Sequence, residues 1–330
     1  MRPTKDNRRI LWVERVQVLS MLLVVLHHCV PHGYDGPQWL FNLLNAIQYP
    51  ALVCFFLTSG LFAVKWRRDG WGAYMKRRCL RLLPPYFCVN LLMLLPRYVA
   101  ARLMGVEAHL TVGWVLMSFL NPHGQGIAPH LWFLPTLLIM AALLPLIEAA
   151  VGGNRGLLLG TIAALLIGSA LPVRLPTLFC CNELKLYLAW YVIGYALARR
   201  RGTACPLRGA VGLALGGAGL VAFAASLRFP EAALSPFAQM TGGALALLAI
   251  SGLSERIDPL TAAFRGKTYV IYILSLCAQN LAEVVGYGAR LPWYVTSLAM
   301  LVVGLAVPCA IALWNEKRPL PWWLRRIIGL

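Results

Sequence analysis

Apolar residues in this chain gather in long runs of about 20, the length that carries an α-helix across ~30 Å of hydrocarbon. Ten runs centre on 11–30, 39–64, 82–101, 130–150, 156–172, 184–199, 208–226, 236–253, 267–286 and 292–314. The pattern predicts an all-α polytopic membrane protein, a bundle of about ten transmembrane helices forming one domain over 1–330. Residues 1–10 and 315–330 read as basic tails. Within this frame FFLTSGLFAVK reads as an apolar helix ending at Ser59 and Gly60. A short basic loop follows, then a new helix opened by Pro84 and Pro85, since proline suits a helix's first turn.

The polar breaks orient the bundle. Starting from a cytoplasmic N-terminus, the inner segments collect Lys and Arg in groups of five (through Arg15), seven (Lys65 to Arg81), one (Arg155), four (Arg199 to Arg208), three (Arg256 to Lys267) and four (Lys317 to Arg326). That is 24 of 30; only Arg97, Arg102, Arg174, Lys185, Arg228 and Arg290 fall outside. The asymmetry predicts both termini in the cytoplasm. MRPTKDNRRILWV is expected to be a retained first helix, because no A-x-A-like cleavage site follows it.

Composition agrees. With 59% hydrophobic and 13% charged residues, the chain has no room for a separate soluble domain. Its net charge of +18 sits in short blocks between apolar runs rather than on one polar face, so membrane lipids and not nucleic acid are the expected partners. There is no Gly-rich phosphate loop and no Cys/His metal spacing, so neither a metal nor a permanently bound cofactor is expected.

Candidate chemistry starts at VVLHHC. His28 lies 17 residues beyond Leu11, about 26 Å deeper along a helix and close to the far edge of the hydrocarbon. Ionisable groups there usually face a bundle interior or a wet cavity, and an imidazole titrates near neutrality. The alternative is an interfacial histidine that only bonds a carbonyl or headgroup. Among the acids, Glu148 and Glu183 are expected to be solvated near span ends, and Glu283 to pair with a neighbouring helix.

LHH ending the first run, FFLTSG, RRCLRLLPPY, HLWFL and GKTYVIYIL, in this order, resemble the acyltransferase 3 superfamily of membrane O-acyltransferases, such as O-antigen and Nod-factor acetylases. The resemblance runs from about Arg9 to Trp314. It implies a membrane-only enzyme, in a bacterial cytoplasmic (inner) membrane. Such an enzyme moves an acyl group, acetyl in the first instance, from cytoplasmic acyl-CoA to a hydroxyl of an extracytoplasmic glycan or lipid-linked saccharide. His28 matches the family's first-helix histidine and would be the base; His27, ~100° around the helix, would not share its cavity equally. The family's arginine eleven residues earlier is here Gln17, with Arg15 the nearest arginine. Arg78 and Arg81 match its Arg-x-x-Arg, with Lys76 and Arg77 beside them, and would hold the phosphates of coenzyme A. Ordinary inner-loop charge remains the alternative. Ser275 stands where many members carry a second histidine. His130, Trp132, Trp39, Tyr34 and Asp35 are placed near the outer mouth, as sugar contacts or as an interfacial aromatic belt. The competing reading is a transporter or flippase of a lipid or amphiphile; a silent relative acting as a partner protein is a third.

The charge asymmetry makes one direct prediction. Cysteine labelling at position 201 and at the connection near His123 reports opposite sides of the membrane; labelling from the same side overturns the topology.

Overall fold

The computed structural model describes residues 10–103, 105, 111–125, 127–201, 205, 207, 209–232, 234–253 and 257–330. The basic segment 1–9, Arg208 and Arg256 lie outside the described residues. Among those described the secondary structure is helical, with no strand. This follows from the solvent: hydrocarbon offers backbone N–H and C=O groups no partner, and a helix satisfies them within one segment.

The chain opens with α1 (Leu11–His27). Then α2 (Gln38–Ala46), α3 (Gln48–Ala63) and α4 (Lys65–Asp69) run nearly end to end before the long α5 (Trp71–Leu103). Short α6 (Val112–Leu120) and α7 (Pro122–Gln125) precede a 3₁₀ turn, Pro129–Trp132, which leads into α8 (Phe133–Val151). There follow α9 (Arg155–Ala170), α10 (Cys181–Arg201), α11 (Gly209–Arg228), α12 (Ser235–Leu253), α13 (Asp258–Phe264), α14 (Thr268–Gly288), α15 (Trp293–Lys317) and α16 (Trp322–Ile328).

Among the described residues six helical segments are long and apolar enough to cross a membrane: Gln38–Asp69, Trp71–Leu103, Pro129–Val151, Gly209–Arg228, Thr268–Gly288 and Trp293–Lys317. The chain is therefore a polytopic integral membrane protein. Helices also occupy the four other apolar runs, although α1 and α9 are shorter, at 17 and 16 residues. α10 carries Glu183, Lys185 and three tyrosines, yet Tyr187, Tyr191 and Tyr195 are all buried against neighbouring helices.

α3 is the hub, packed against α1, α10 and α12, while α11 with α12 and α14 with α15 form close pairs and α5 lies on α8. The tightest crossing is α3 on α10. A Cβ on Gly60 would stand 2.0 Å from the Tyr191 carbonyl oxygen, and one on Gly194 2.0 Å from that of Leu57. Small residues let membrane helices approach where no hydrophobic force separates protein from lipid.

Several sequence expectations change here. Gly60 does not end a helix: α3 continues to Ala63, and the glycine serves the crossing. The break falls at Gly70, whose φ of +79° favours glycine. There is no basic loop before Pro84 and Pro85, because both prolines lie inside α5 and Arg77, Arg78 and Arg81 ride on its first turns. Membrane helices tolerate internal proline where packing and local adjustment re-satisfy the freed carbonyls. Glu183 is not solvated; it is 1% exposed and paired with His123. Glu148 is held by Arg199 (2.9 Å), Arg67 (3.3 Å) and the Tyr195 hydroxyl (2.6 Å). Glu283 accepts the His32 backbone N–H at 2.6 Å. One end of the bundle thus gathers the basic residues around Lys65 to Arg81, Arg199 and Arg265; the other gathers His28, His123 and His130.

The crossing yields a stability test. Gly60→Ala and Gly194→Ala should each lower the melting temperature of the solubilised protein, since overpacking a close contact costs about 1–3 kcal/mol or more. Gly217→Ala, where a Cβ meets nothing within 4 Å, should leave it unchanged.

Candidate active site

At the basic end a cavity of about 570 Å³ opens between α1, α3, α5, α8 and α14. Lys65, Arg77, Arg78 and Arg81 line it together with Asp69, and Gln17, Ser59, Thr268 and the tyrosines Tyr74, Tyr269 and Tyr272 are among its neutral polar groups. The helical spacing of α5 puts Arg77, Arg78 and Arg81 within one turn of each other. Asp69 takes up part of this charge, bonding Arg77 at 2.5 Å and Arg68 at 3.0 Å. No described carboxylate pairs with Arg78 or Arg81. Arg78 donates from Nε to the Tyr74 hydroxyl (3.1 Å), and Arg81 lies over the Tyr269 ring at 4.9 Å. Two guanidinium forks are therefore left to bind an anion.

Gln17 lines this cavity and donates from Nε2 to the Thr58 hydroxyl at 3.4 Å. Arg15, the other candidate on α1, does not. Two positions turn it ~200° around the helix. There its Nε and Nη2 grip Asp258 at 2.7 and 2.8 Å, and its Nη1 reaches the Ser251 carbonyl at 3.3 Å. The Arg15 hydrogen bonds hold the Asp258 carboxyl below its ordinary pKa. Arg15 ties α1 to α12 and α13 and is not brought to the cavity.

The deep wall is aromatic. Phe133 packs edge-on against Phe55 (5.9 Å) and Tyr272 (5.6 Å), and all three line the cavity. Directly behind stands His130, its ring 5.9 Å from that of Tyr272. The Tyr272 hydroxyl donates to the His130 carbonyl at 2.5 Å. His130 in turn contacts the Ile273 carbonyl through Nε2 at 3.2 Å, which assigns the ring proton to Nε2 because a carbonyl only accepts. Its Nδ1 is buried and has no hydrogen-bond partner.

His28 caps α1, its backbone N–H bonding the Val24 carbonyl at 3.3 Å, and lies within electrostatic reach of His130. Eleven residues separate it from Gln17, about three turns, so both lie on one stripe of α1, ~16 Å apart. His27 leaves that stripe: its Nδ1 donates to the Leu44 carbonyl at 3.0 Å and fastens α1 to α2. The two imidazole rings remain 4.7 Å apart.

The remaining candidates divide. Ser275 is buried on α14, one turn past Tyr272. Trp132 is no open platform for a sugar, because it is 8% exposed with His123 stacked at 5.2 Å and Tyr187 at 5.9 Å. The apolar surroundings of α3 and α10 draw the indole inward. Tyr34 packs edge-on against Trp293 at 4.8 Å, while Asp35 and Trp39 are exposed. Reasoning from sequence missed Tyr269, Tyr272 and Gln279. The two tyrosines, three apart in GKTYVIYIL, share a helix face. Fully buried Gln279 donates to the Val25 carbonyl at 2.9 Å, and a glutamine inside an apolar run is itself a signal.

No curated protein and no solved structure is similar enough to this chain to count as a match. The family model of the acyltransferase domain known as acyltransferase 3 matches residues 10–314, nearly all of α1 through α15. The match contains both the arginines of α5 and the histidines at the opposite end. With that coverage and these helices, the chain belongs to the acyltransferase 3 family.

Proposed function

We propose that this acyltransferase takes an acyl group, acetyl in the first instance, from acyl-CoA at the basic end and places it on a hydroxyl of an extracytoplasmic glycan or lipid-linked saccharide at the histidine end. The basic end then faces the cytoplasm of a bacterial cell, with ten spans and both termini inside. The observation that carries the reading is the cavity itself: Arg78 and Arg81 on its lining with no described carboxylate paired to either, and an aromatic wall with His130 directly behind it.

The physical logic is a division of labour. Phosphates are too costly to bring into hydrocarbon and stay on Arg78 and Arg81, with Arg77 and Gln17 beside them. The uncharged pantetheine arm runs along the α1 stripe between Gln17 and His28. His28 accepts the proton of the attacking hydroxyl as its oxygen adds to the thioester carbonyl. The C–S bond then breaks, the new C–O ester remains, and the proton passes from the imidazolium to the leaving thiolate. The atoms balance as ester plus free coenzyme A. His130, with its lone pair on Nδ1, and Tyr34 and Asp35 beyond it, serve the acceptor; Ser275 supports α14 behind Tyr272.

Two outcomes test this. General-base assistance contributes typically ~10² to 10⁴-fold, so His28→Ala should lower acetyl incorporation into surface glycans, followed by mass spectrometry, by that factor at equal membrane content. His27→Ala should cost much less; parental rates in the first variant, or a dead second one, remove the assignment. For the donor, Arg78→Gln with Arg81→Gln should weaken acyl-CoA binding by a few kcal/mol, as hydrogen bonds to charged groups contribute ~1.5–3 kcal/mol each. Unchanged affinity in a correctly inserted double variant returns both arginines to topology alone.

A further inference from the structure

α16 lies beyond the family match, which stops at residue 314. It nevertheless folds back onto the site. Gly329 ends it with φ +81°, and a Cβ there would come within 2.6 Å of Ile273 Cδ1 and 2.8 Å of the Tyr269 ring. The turn closes with the Leu330 N–H on the Arg325 carbonyl at 2.8 Å. This docking against α5 and the first turn of α14 creates a second pocket of about 430 Å³, whose polar wall is Arg77, Arg81, Arg325, Arg326 and Tyr269.

Three observations give this pocket a ligand class. First, it shares Arg77, Arg81 and Tyr269 with the 570 Å³ cavity, so the two pockets sit on either side of one wall. Second, it is the more positive of the two: four arginines line it, of which Arg77 alone is paired to a described carboxylate, that of Asp69, and no Asp or Glu is among its lining residues. Third, Arg325 buries its Nε without a hydrogen-bond partner, a cost that an acceptor oxygen would remove. Arg326 lies over the Trp322 ring at 5.2 Å, while Trp322 and Trp323 are largely exposed on the same short helix. Four guanidinium groups in a small space call for a ligand carrying several phosphate charges.

Resting on the donor reading, we propose that this pocket seats the nucleotide end of coenzyme A, with Arg325 and Arg326 holding its 3′-phosphate. Most of the donor's charge is at that end and its arm is neutral, so the more positive pocket takes the nucleotide and the partly neutralised, aromatic-walled cavity takes the arm. Arg81, common to both, holds the diphosphate where the two join, together with Arg78 on the cavity side and Arg77 beside them. α16 thereby makes donor recognition depend on a segment outside the family domain. An anionic lipid headgroup offers the same oxygens, but it would not link this pocket to the cavity.

The test uses the full chain in nanodiscs of zwitterionic phosphatidylcholine, and in a second set that also contains anionic phosphatidylglycerol, with coenzyme A and 3′-dephospho-coenzyme A as probes. Arg325→Gln with Arg326→Gln should weaken coenzyme A binding roughly tenfold or more, while dephospho-coenzyme A binds parent and variant alike. Arg326→Gln alone, at an exposed position, should show the same selectivity with a smaller loss; melting temperatures report that each variant is folded. Unchanged coenzyme A affinity in a folded variant overturns the proposal, as does equal loss of both probes. A loss seen only when anionic lipid is present assigns the pocket to lipid and also overturns it. A parent chain that binds neither probe strikes the donor reading itself, whereas a parent that binds coenzyme A with its variants unaffected strikes the α16 pocket alone.

Discussion

Hydrocarbon offers no hydrogen-bonding partner, so each polar group within the bundle must find one there or stand at a wet surface. The interior helices meet this demand locally. Gln279 spends its amide on the Val25 carbonyl, Asn90 donates to Tyr86 and accepts from the Ala128 backbone, and Thr136 returns to the Trp132 carbonyl. The last two fix the 3₁₀ turn that carries His130, so the site's geometry depends on polar groups far from any ligand. Glu183, paired with His123, holds the same region from the α10 side.

Charge obeys the same constraint by segregation. Among the described residues of the basic end, Asp258 and Glu14 are committed to Arg15 and Arg265, Glu148 to Arg67 and Arg199, and Asp69 to Arg68 and Arg77. Arg78 and Arg81 remain outside these pairs, held instead by tyrosine hydroxyl and ring. A tyrosine orients a guanidinium without cancelling its charge. The sharp turn at Gly70 lets α5 start beside the end of α4, which is why these arginines overlook the cavity rather than facing away from it.

Between the two ends stands the wall of Phe55, Phe133 and Tyr272. Tyr272 belongs to both sides, lining the cavity with its ring and bonding the His130 carbonyl with its hydroxyl. Tyr272 thereby joins the cavity wall to the backbone of the turn that carries His130. α3 and α10, locked by the Gly60 and Gly194 approach, provide the fixed frame against which that wall is built.

The sequence alone determined the class of structure, because runs of about 20 apolar residues and asymmetric charge respond to the bilayer and not to the details of packing. It also carried the family resemblance and named Gln17, His28, Arg77, Arg78, Arg81 and His130, whose residue types are costly in an apolar chain. Only tertiary structure decided which of them meet. Arg15 and Gln17 look interchangeable two positions apart, yet the helix turns one to Asp258 and the other to the cavity. Gly60, Pro84 and Pro85 look like helix ends, but a close helix crossing and a continuous membrane helix overrule local propensity. Trp132 looks like an interfacial aromatic until His123 and Tyr187 close over its faces. These outcomes rest on contacts between residues distant in the chain, and spacing along one helix holds no information about what the neighbouring helix presents.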